Sequence, residues 1–320
     1  MTASNKAYPP GIHAPTVTFF LPDGDRQEID WATQDTHLEF LVKAGVHGIV
    51  VAGSSGESCA LSLAERGQLV KHTRDAAKAN GRPDLAITIG CLGGSTRDIL
   101  DQAVCGYENG ADFALVLIPS VFHWSMTQKA IVDFFLDIAD RSPIPIIIYN
   151  FPNLVRGLDV NQDMMETLAA HPNMAGVKLT CGNISKMTRV AALHSPSEFA
   201  AVSGQSDLIV SALAGGGSGT ISGVVNLFPR VLIEIYNLYN AGKLAEAIAL
   251  QKQVSGPEWG IGSSDVSGMK WIIAKERGYP LTSANCRKPF PLFDSVEKQE
   301  RVIKYVAPLL PVEAALAARE

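Results

Sequence analysis

Charge is scarce in this chain. Only 18% of its 320 residues are Asp, Glu, Lys or Arg, against 47% hydrophobic, whereas globular chains average roughly 25% charged. So little charge implies a large interior, extensive subunit contacts, or both, and an oligomer is expected. Basic runs are missing as well. With a net charge of −5 the chain offers no positive footprint for nucleic acid or an anionic membrane surface, so the expected partner is a small molecule. No apolar run approaches the ~20 residues of a membrane span, and the opening stretch MTASNKAYPP lacks the apolar core of a signal peptide. The cysteines (Cys59, Cys91, Cys105, Cys181 and Cys286) are odd in number, far apart and never spaced Cys-x-x-Cys, which argues against a disulfide framework or a zinc ribbon. They suit core thiols in a reducing, cytoplasmic setting. Histidines stand scattered at 13, 37, 47, 72, 123, 171 and 194, unlike the clustered ligands of a catalytic divalent ion, and no metal is expected.

What the chain does have is a repeating unit. Short apolar runs recur at Ile12–Thr18, His47–Ala52, Leu85–Gly90, Asp112–Leu117, Pro145–Tyr149, Met174–Lys178, Glu198–Ser203 and Gly219–Ser222. Amphipathic segments separate them, clearest at Trp31–Ala44, Leu63–Ala79, Thr96–Asn109, Gln128–Asp140 and Asn161–Ala170, and shorter at Ile184–Leu193 and Asp207–Ala214. Strand followed by helix implies parallel strands, and eight such units are the count of a (β/α)8 TIM barrel. Ser62-Leu-Ala-Glu65 reads as a capping box opening the second helix, with Asn80-Gly81 as its stop. Beyond the eighth unit, Leu227–Asn240 reads as helix. Further helical patterns at Leu244–Val254, Val266–Arg277 and Val296–Leu309 then form a C-terminal appendix, broken at Ser255-Gly-Pro257 and at Arg287–Pro291. The expected organisation is a catalytic barrel over 1–240 with the helices of 241–320 packed on it. Gly215–Thr220 lacks a phosphate-loop ending and predicts a tight turn into a strand where backbone approaches ligand.

One lysine stands apart. Thirteen others lie in settings that read as polar, such as Lys71 and Lys78 on an amphipathic helix, whereas Lys178 ends the apolar run Met174-Ala-Gly-Val-Lys178. Burial disfavours a charged amine and favours the free form that attacks a carbonyl. The functional reading is a Schiff-base lysine. The structural one is a lysine paired with a carboxylate, or one whose head reaches water. Active sites of α/β barrels sit at the carboxyl ends of the strands, and there Lys178 has company: Gly53-Ser-Ser-Gly-Glu57 follows the second run, and Tyr149-Asn-Phe-Pro152 ends the fifth. Ser54 and Ser55 offer two N–H groups and two hydroxyls to a carboxylate, and the Tyr149 phenol offers a proton to a substrate oxygen.

These segments, with Gly216-Gly-Ser-Gly-Thr-Ile-Ser222, resemble the signatures of the dihydrodipicolinate synthase/N-acetylneuraminate lyase superfamily over nearly the whole chain. The resemblance implies a class I pyruvate-dependent aldolase, usually a homotetramer. It makes Lys178 the imine lysine, Tyr149 the proton donor and acceptor, and Ser54 and Ser55 the carboxylate ligands, with Thr180, Gly204, Ile221 and Ser222 also contacting the substrate. The covalent imine replaces any cofactor. Departures bear on the substrate. The synthases carry an arginine where this chain has Leu154, Arg156 lies two residues later, and Ile118-Pro-Ser-Val-Phe-His-Trp124 lacks their tyrosine pair. Lysine biosynthesis is therefore not the expectation. The chain resembles 4-hydroxy-2-oxoglutarate aldolases in Pro172–Lys178 and Gly268-Met-Lys270. It also resembles fungal aldolases that split 2-keto-3-deoxy-L-galactonate, from D-galacturonate breakdown, into pyruvate and L-glyceraldehyde. The latter is preferred, because Thr180, Gly204-Gln-Ser206 and Ser222 are neutral hydrogen-bonding groups suited to hydroxyls. A barrel that merely binds a small acid, with Lys178 pairing the ligand, is the non-enzymatic alternative.

Overall fold

Runs of Ile and Val buried on both faces, as at Ile146-Ile-Ile148, suit only a parallel sheet covered by helices. That is what they build. The computed structural model describes residues 7–22 and 26–319; the expectation made for the first six residues lies outside them. Eight parallel strands close into a barrel in sequential order: β1 (Gly11–Pro15), β2 (Gly48–Val51), β3 (Ala86–Cys91), β4 (Phe113–Leu117), β5 (Ile146–Asn150), β6 (Met174–Leu179), β7 (Ala200–Ser203) and β8 (Gly219–Ile221). Around it run α1 (Trp31–Lys43), α2 (Leu63–Ala79), α3 (Thr96–Glu108), α4 (Gln128–Arg141), α5 (Gln162–Ala169), α6 (Ile184–Leu193), α7 (Ile209–Ala214) and α8 (Pro229–Asn240). Most begin where a short polar side chain caps the first turn: Ser95, Thr127, Asn161 and Asn183 each accept an N–H three residues on. The capping box at Ser62 and Glu65 forms as expected.

Apolar side chains divide between two cores. The larger lies between strands and helices. The smaller fills the barrel itself with Val50, Leu115, Leu117, Ile147, Tyr149, Val202 and Ile221. Its floor holds Tyr8, stacked on His13 with ring centroids 4.7 Å apart. Closure is tightest at β8, where Gly219 (φ 151) lies so near β1 that an added Cβ would come within 1.9 Å of the Gly11 carbonyl oxygen. The glycines before β8 were expected to admit a ligand; at Gly219 they admit the first strand.

Beyond α8 lie α9 (Leu244–Gly262), α10 (Asp265–Arg277), α11 (Val296–Val306) and α12 (Leu310–Ala317). The expected break at Ser255-Gly-Pro257 does not occur, because α9 runs through it. A proline inside a helix costs about 3 kcal/mol, but here packing prevails. Pro257 is buried, and a Cβ on Gly260 would meet Tyr305 of α11 at 2.5 Å, so α9 and α11 approach closely along that face. α12, which continues past the expected end at Leu309, was not anticipated.

Candidate active site

The carboxyl ends of the strands bring three of the expected residues into one chain of contacts. β5 and β6 pair with a register shift between Ile146 and Ile147, beyond which Tyr149 lies opposite Lys178. Such a bulge re-aims every side chain after it. Here the extra residue lies on β6 and brings Lys178 into register with Tyr149 of β5, with Lys178 Nζ 4.3 Å from the Tyr149 ring centroid. Gly176, two residues earlier, is required for another reason: a Cβ there would sit 2.2 Å from the Ala200 carbonyl oxygen of β7. Tyr149 is 2% exposed and its hydroxyl lies 3.1 Å from Ser54 Oγ. Phe151 stacks on its ring.

Lys178 is 4% exposed, yet among the described residues its amine meets no carboxylate. Two of the lysines read as solvated are in fact buried. Lys270 Nζ lies 2.6 Å from Glu57 with both side chains inaccessible, and Lys186 Nζ lies 2.6 Å from Asp159. Sequence missed them because nothing local to α10 or α6 shows that an inward lysine meets Glu57 or Asp159. Burial therefore does not single out Lys178; burial without a counter-ion does.

Ser54 and Ser55 occupy a turn whose flanks, Ala52 (φ 52) and Glu57 (φ 56), are both left-handed. Gly90 permits this, since a Cβ there would be 2.4 Å from the Ala52 carbonyl oxygen. Within the turn, the N–H groups of Gly56, Glu57 and Ser58 bond back to Gly53 and Ser54. The N–H groups of Ser54 and Ser55 find no acceptor in the described residues, and unpaired donors in such a nest suit an anion.

The remaining expected residues form a second group. Thr180 Oγ1 is buried without a partner, and a Cβ on Gly204 would overlap it at 2.0 Å. Ile221 points into the barrel core, fully buried. Ser222 Oγ accepts from Ser206 Oγ at 2.5 Å and donates to Glu258 at 3.2 Å, while Glu258 also accepts the Ser206 N–H at 2.9 Å. Glu258, on α9, was invisible to sequence reasoning. Burial, with Asp207 nearby, pushes its carboxyl up to about 7 against the three hydrogen bonds that favour the anion.

A cleft of about 910 Å³ opens above Ser54 and Ser55, walled by Leu92, Ile118, Phe151, Leu154, Ile261 and Met269. Among the described residues, Lys178 and Tyr149 are not part of its lining, and no arginine, lysine or histidine is. Arg156 (φ 55) is exposed and stands outside it. His123, given no role from sequence, sits in a short 3-10 turn packed edge-on against Trp124. Among the described residues no group of three His, Cys, Asp or Glu side chains converges, all five cysteines are free, and no helix is long and apolar enough to cross a membrane.

Comparison with known proteins places this arrangement. A protein of Emericella nidulans named "Probable 4-hydroxy-2-oxoglutarate aldolase, mitochondrial" is 38% identical over 276 residues, 86% of this chain and 88% of that one. The "L-threo-3-deoxy-hexylosonate aldolase" of Aspergillus niger is 34% identical, with 96% of this chain and 97% of that one covered. A crystal structure of a dihydrodipicolinate synthase family protein from Coccidioides immitis, 34% identical, superposes with a TM-score of 0.87 over 98% of this chain and all of that one. The protein is thus an enzyme of the lyase class, an aldolase of the pyruvate-dependent class I kind. More particularly, the chain belongs to the dihydrodipicolinate synthetase family, whose model matches residues 9–306.

Proposed function

We propose that Lys178 is the Schiff-base lysine of an aldolase that cleaves a 2-keto-3-deoxy sugar acid, 2-keto-3-deoxy-L-galactonate, to pyruvate and L-glyceraldehyde. The observation that carries the chemistry is the buried amine of Lys178, without a carboxylate among the described residues and against the Tyr149 ring. In this reading the amine attacks the C2 carbonyl and loses water to form an imine. The substrate carboxylate rests on the free N–H groups and hydroxyls of Ser54 and Ser55. Tyr149 takes the proton of the C4 hydroxyl, the C3–C4 bond breaks, and its electrons flow toward the imine nitrogen, leaving the pyruvate enamine and an aldehyde. Protonation of the enamine at C3 and hydrolysis of the imine release pyruvate and restore Lys178. No cofactor takes part in these steps.

The substrate half rests on the cleft. Among the described residues its lining lacks a cation to receive a second carboxylate, and the groups beyond β7 and β8, outside that lining, are hydroxyls beside the Glu258 carboxyl. Such groups match a polyol and leave a dicarboxylate poorly solvated. Cleavage of 4-hydroxy-2-oxoglutarate is the second reading, favoured by the name of the Emericella relative. Comparing kcat/KM for the two compounds and for 2-keto-3-deoxy-D-gluconate separates them. We expect the L-galactonate derivative to lead by at least about tenfold, in keeping with the cost of an unmatched polar group; a lead for the dicarboxylate would overturn the assignment. The same reading makes the enzyme a homotetramer of the cytoplasm serving D-galacturonate breakdown, built as a catalytic barrel over 1–240 carrying the helices of 241–320.

A further inference from the structure

The turn that holds Ser54 and Ser55 is strained at both flanks, and strained backbone persists only where its surroundings over-determine it. Much of that restraint comes from the far end of the chain. Glu57 is 3% exposed; its Oε1 receives Lys270 Nζ of α10 at 2.6 Å and its Oε2 receives the Arg287 N–H at 2.9 Å. Lys270 also donates to the Asn285 carbonyl oxygen at 3.0 Å and lies 4.6 Å from the Phe20 ring centroid. Arg287 lies against the same ring, 4.4 Å from its centroid, and grips Glu65, at the start of α2, through two nitrogens at 2.6 and 3.0 Å. Met269, next to Lys270, presses on Gly223: a Cβ there would meet Met269 Cε at 2.6 Å and Ser55 Oγ at 3.8 Å.

Stability alone is a weak reason for such a pair, since apolar side chains of similar volume replace buried ion pairs at little or no cost. The pair does something apolar side chains cannot: it fixes the direction of Glu57, and with it the end of the turn. Glu57 borders the cleft, but its two oxygens are taken by Lys270 and the Arg287 N–H; we propose that Glu57 and Lys270 are positioning residues for carboxylate recognition, acting through the turn they clamp. The inference rests on the role given above to Ser54 and Ser55.

Borohydride trapping of the imine in the full-length protein, across a range of concentrations, tests it with two probes: pyruvate, and methyl pyruvate, which has the carbonyl but no carboxylate. Glu57→Gln should raise the half-saturating pyruvate concentration roughly tenfold while the fraction trapped at saturation and the methyl pyruvate curve stay as in wild type, since a displaced contact weakens binding without removing the amine. Because either single change strands a buried charge and endangers folding, the double variant Glu57→Gln/Lys270→Met, which removes both charges, should show the same selective loss. Variants whose pyruvate curves stay within twofold of wild type, or whose two curves shift together, overturn the inference. Wild-type protein that traps no pyruvate overturns the aldolase mechanism as well, and so separates the two failures.

Discussion

Lys178 and Lys270 are both buried against an aromatic ring and differ in what else their amines meet. Lys270, at 0% exposure, sits in a cage: a carboxylate at 2.6 Å, a carbonyl at 3.0 Å and an aromatic face. Lys178, at 4%, has among the described residues only the Tyr149 face. Desolvation weakens the charged form of Lys270, and Glu57 works against that loss. The difference teaches that burial alone does not mark a nucleophile, and the role proposed for Lys178 rests on its having no carboxylate partner among the described residues. Glu258 supplies the acidic counterpart of the second case, a carboxyl packed against hydroxyls with no cation among the described residues.

The comparison breaks most sharply if the two lysines are exchanged for the same apolar residue. Lys178→Met should abolish imine trapping and turnover together yet leave urea unfolding near wild type, because no partner is stranded. Lys270→Met should lower stability by about 3–5 kcal/mol, the cost of leaving a buried charge unpaired. Equal destabilisation by the two would mean that Lys178 has a counter-charge after all. A smaller effect sharpens the catalytic side: Tyr149→Phe should still form the pyruvate imine but slow aldol cleavage by roughly 10²–10⁴-fold, as for the loss of a positioned acid and base. Single-turnover cleavage at a near-normal rate would assign the proton transfer elsewhere.

Smallest is the effect at Glu258, which tests the acidic counterpart. Its carboxyl is pushed up from 4.5 to about 7 by burial, so the folded state holds this proton more tightly than the unfolded chain does. The associated stability is fully present below pH ~4.5 and is lost as pH rises toward 7. Glu258→Gln removes the titration. Relative to wild type, its Tm should therefore gain several degrees more at pH 8 than at pH 5, since a group raised from 4.5 to about 7 loses about 2 kcal/mol over that interval. A difference independent of pH would show that Glu258 is not held protonated by its surroundings.

Much of this was legible in the residues. The strand and helix alternation gave the barrel because burial on both faces demands apolar runs and because capping side chains mark each helix start. Lys178, Tyr149 and Ser54 were legible because each ends an apolar run, where a barrel places its chemistry. The break expected at Pro257 failed because local propensity knows nothing of Tyr305, whose packing against Gly260 holds the helix together. Lys186 and Lys270 were misread for a related reason: whether a lysine is solvated depends on what lies opposite, and Asp159 and Glu57 are far from them in sequence.

By itself, then, the sequence determined the architecture and marked the candidate groups at the strand ends, since periodicity, capping and residue chemistry are local properties of the chain. Tertiary structure alone decided their relations. A register shift between β5 and β6 sets Tyr149 opposite Lys178. The absence of a nearby carboxylate among the described residues separates that lysine from two others as deeply buried. A helix more than two hundred residues downstream of the Ser54 turn supplies the cation that holds it. Each depends on distances between groups remote in sequence, and such distances exist only once the chain has packed.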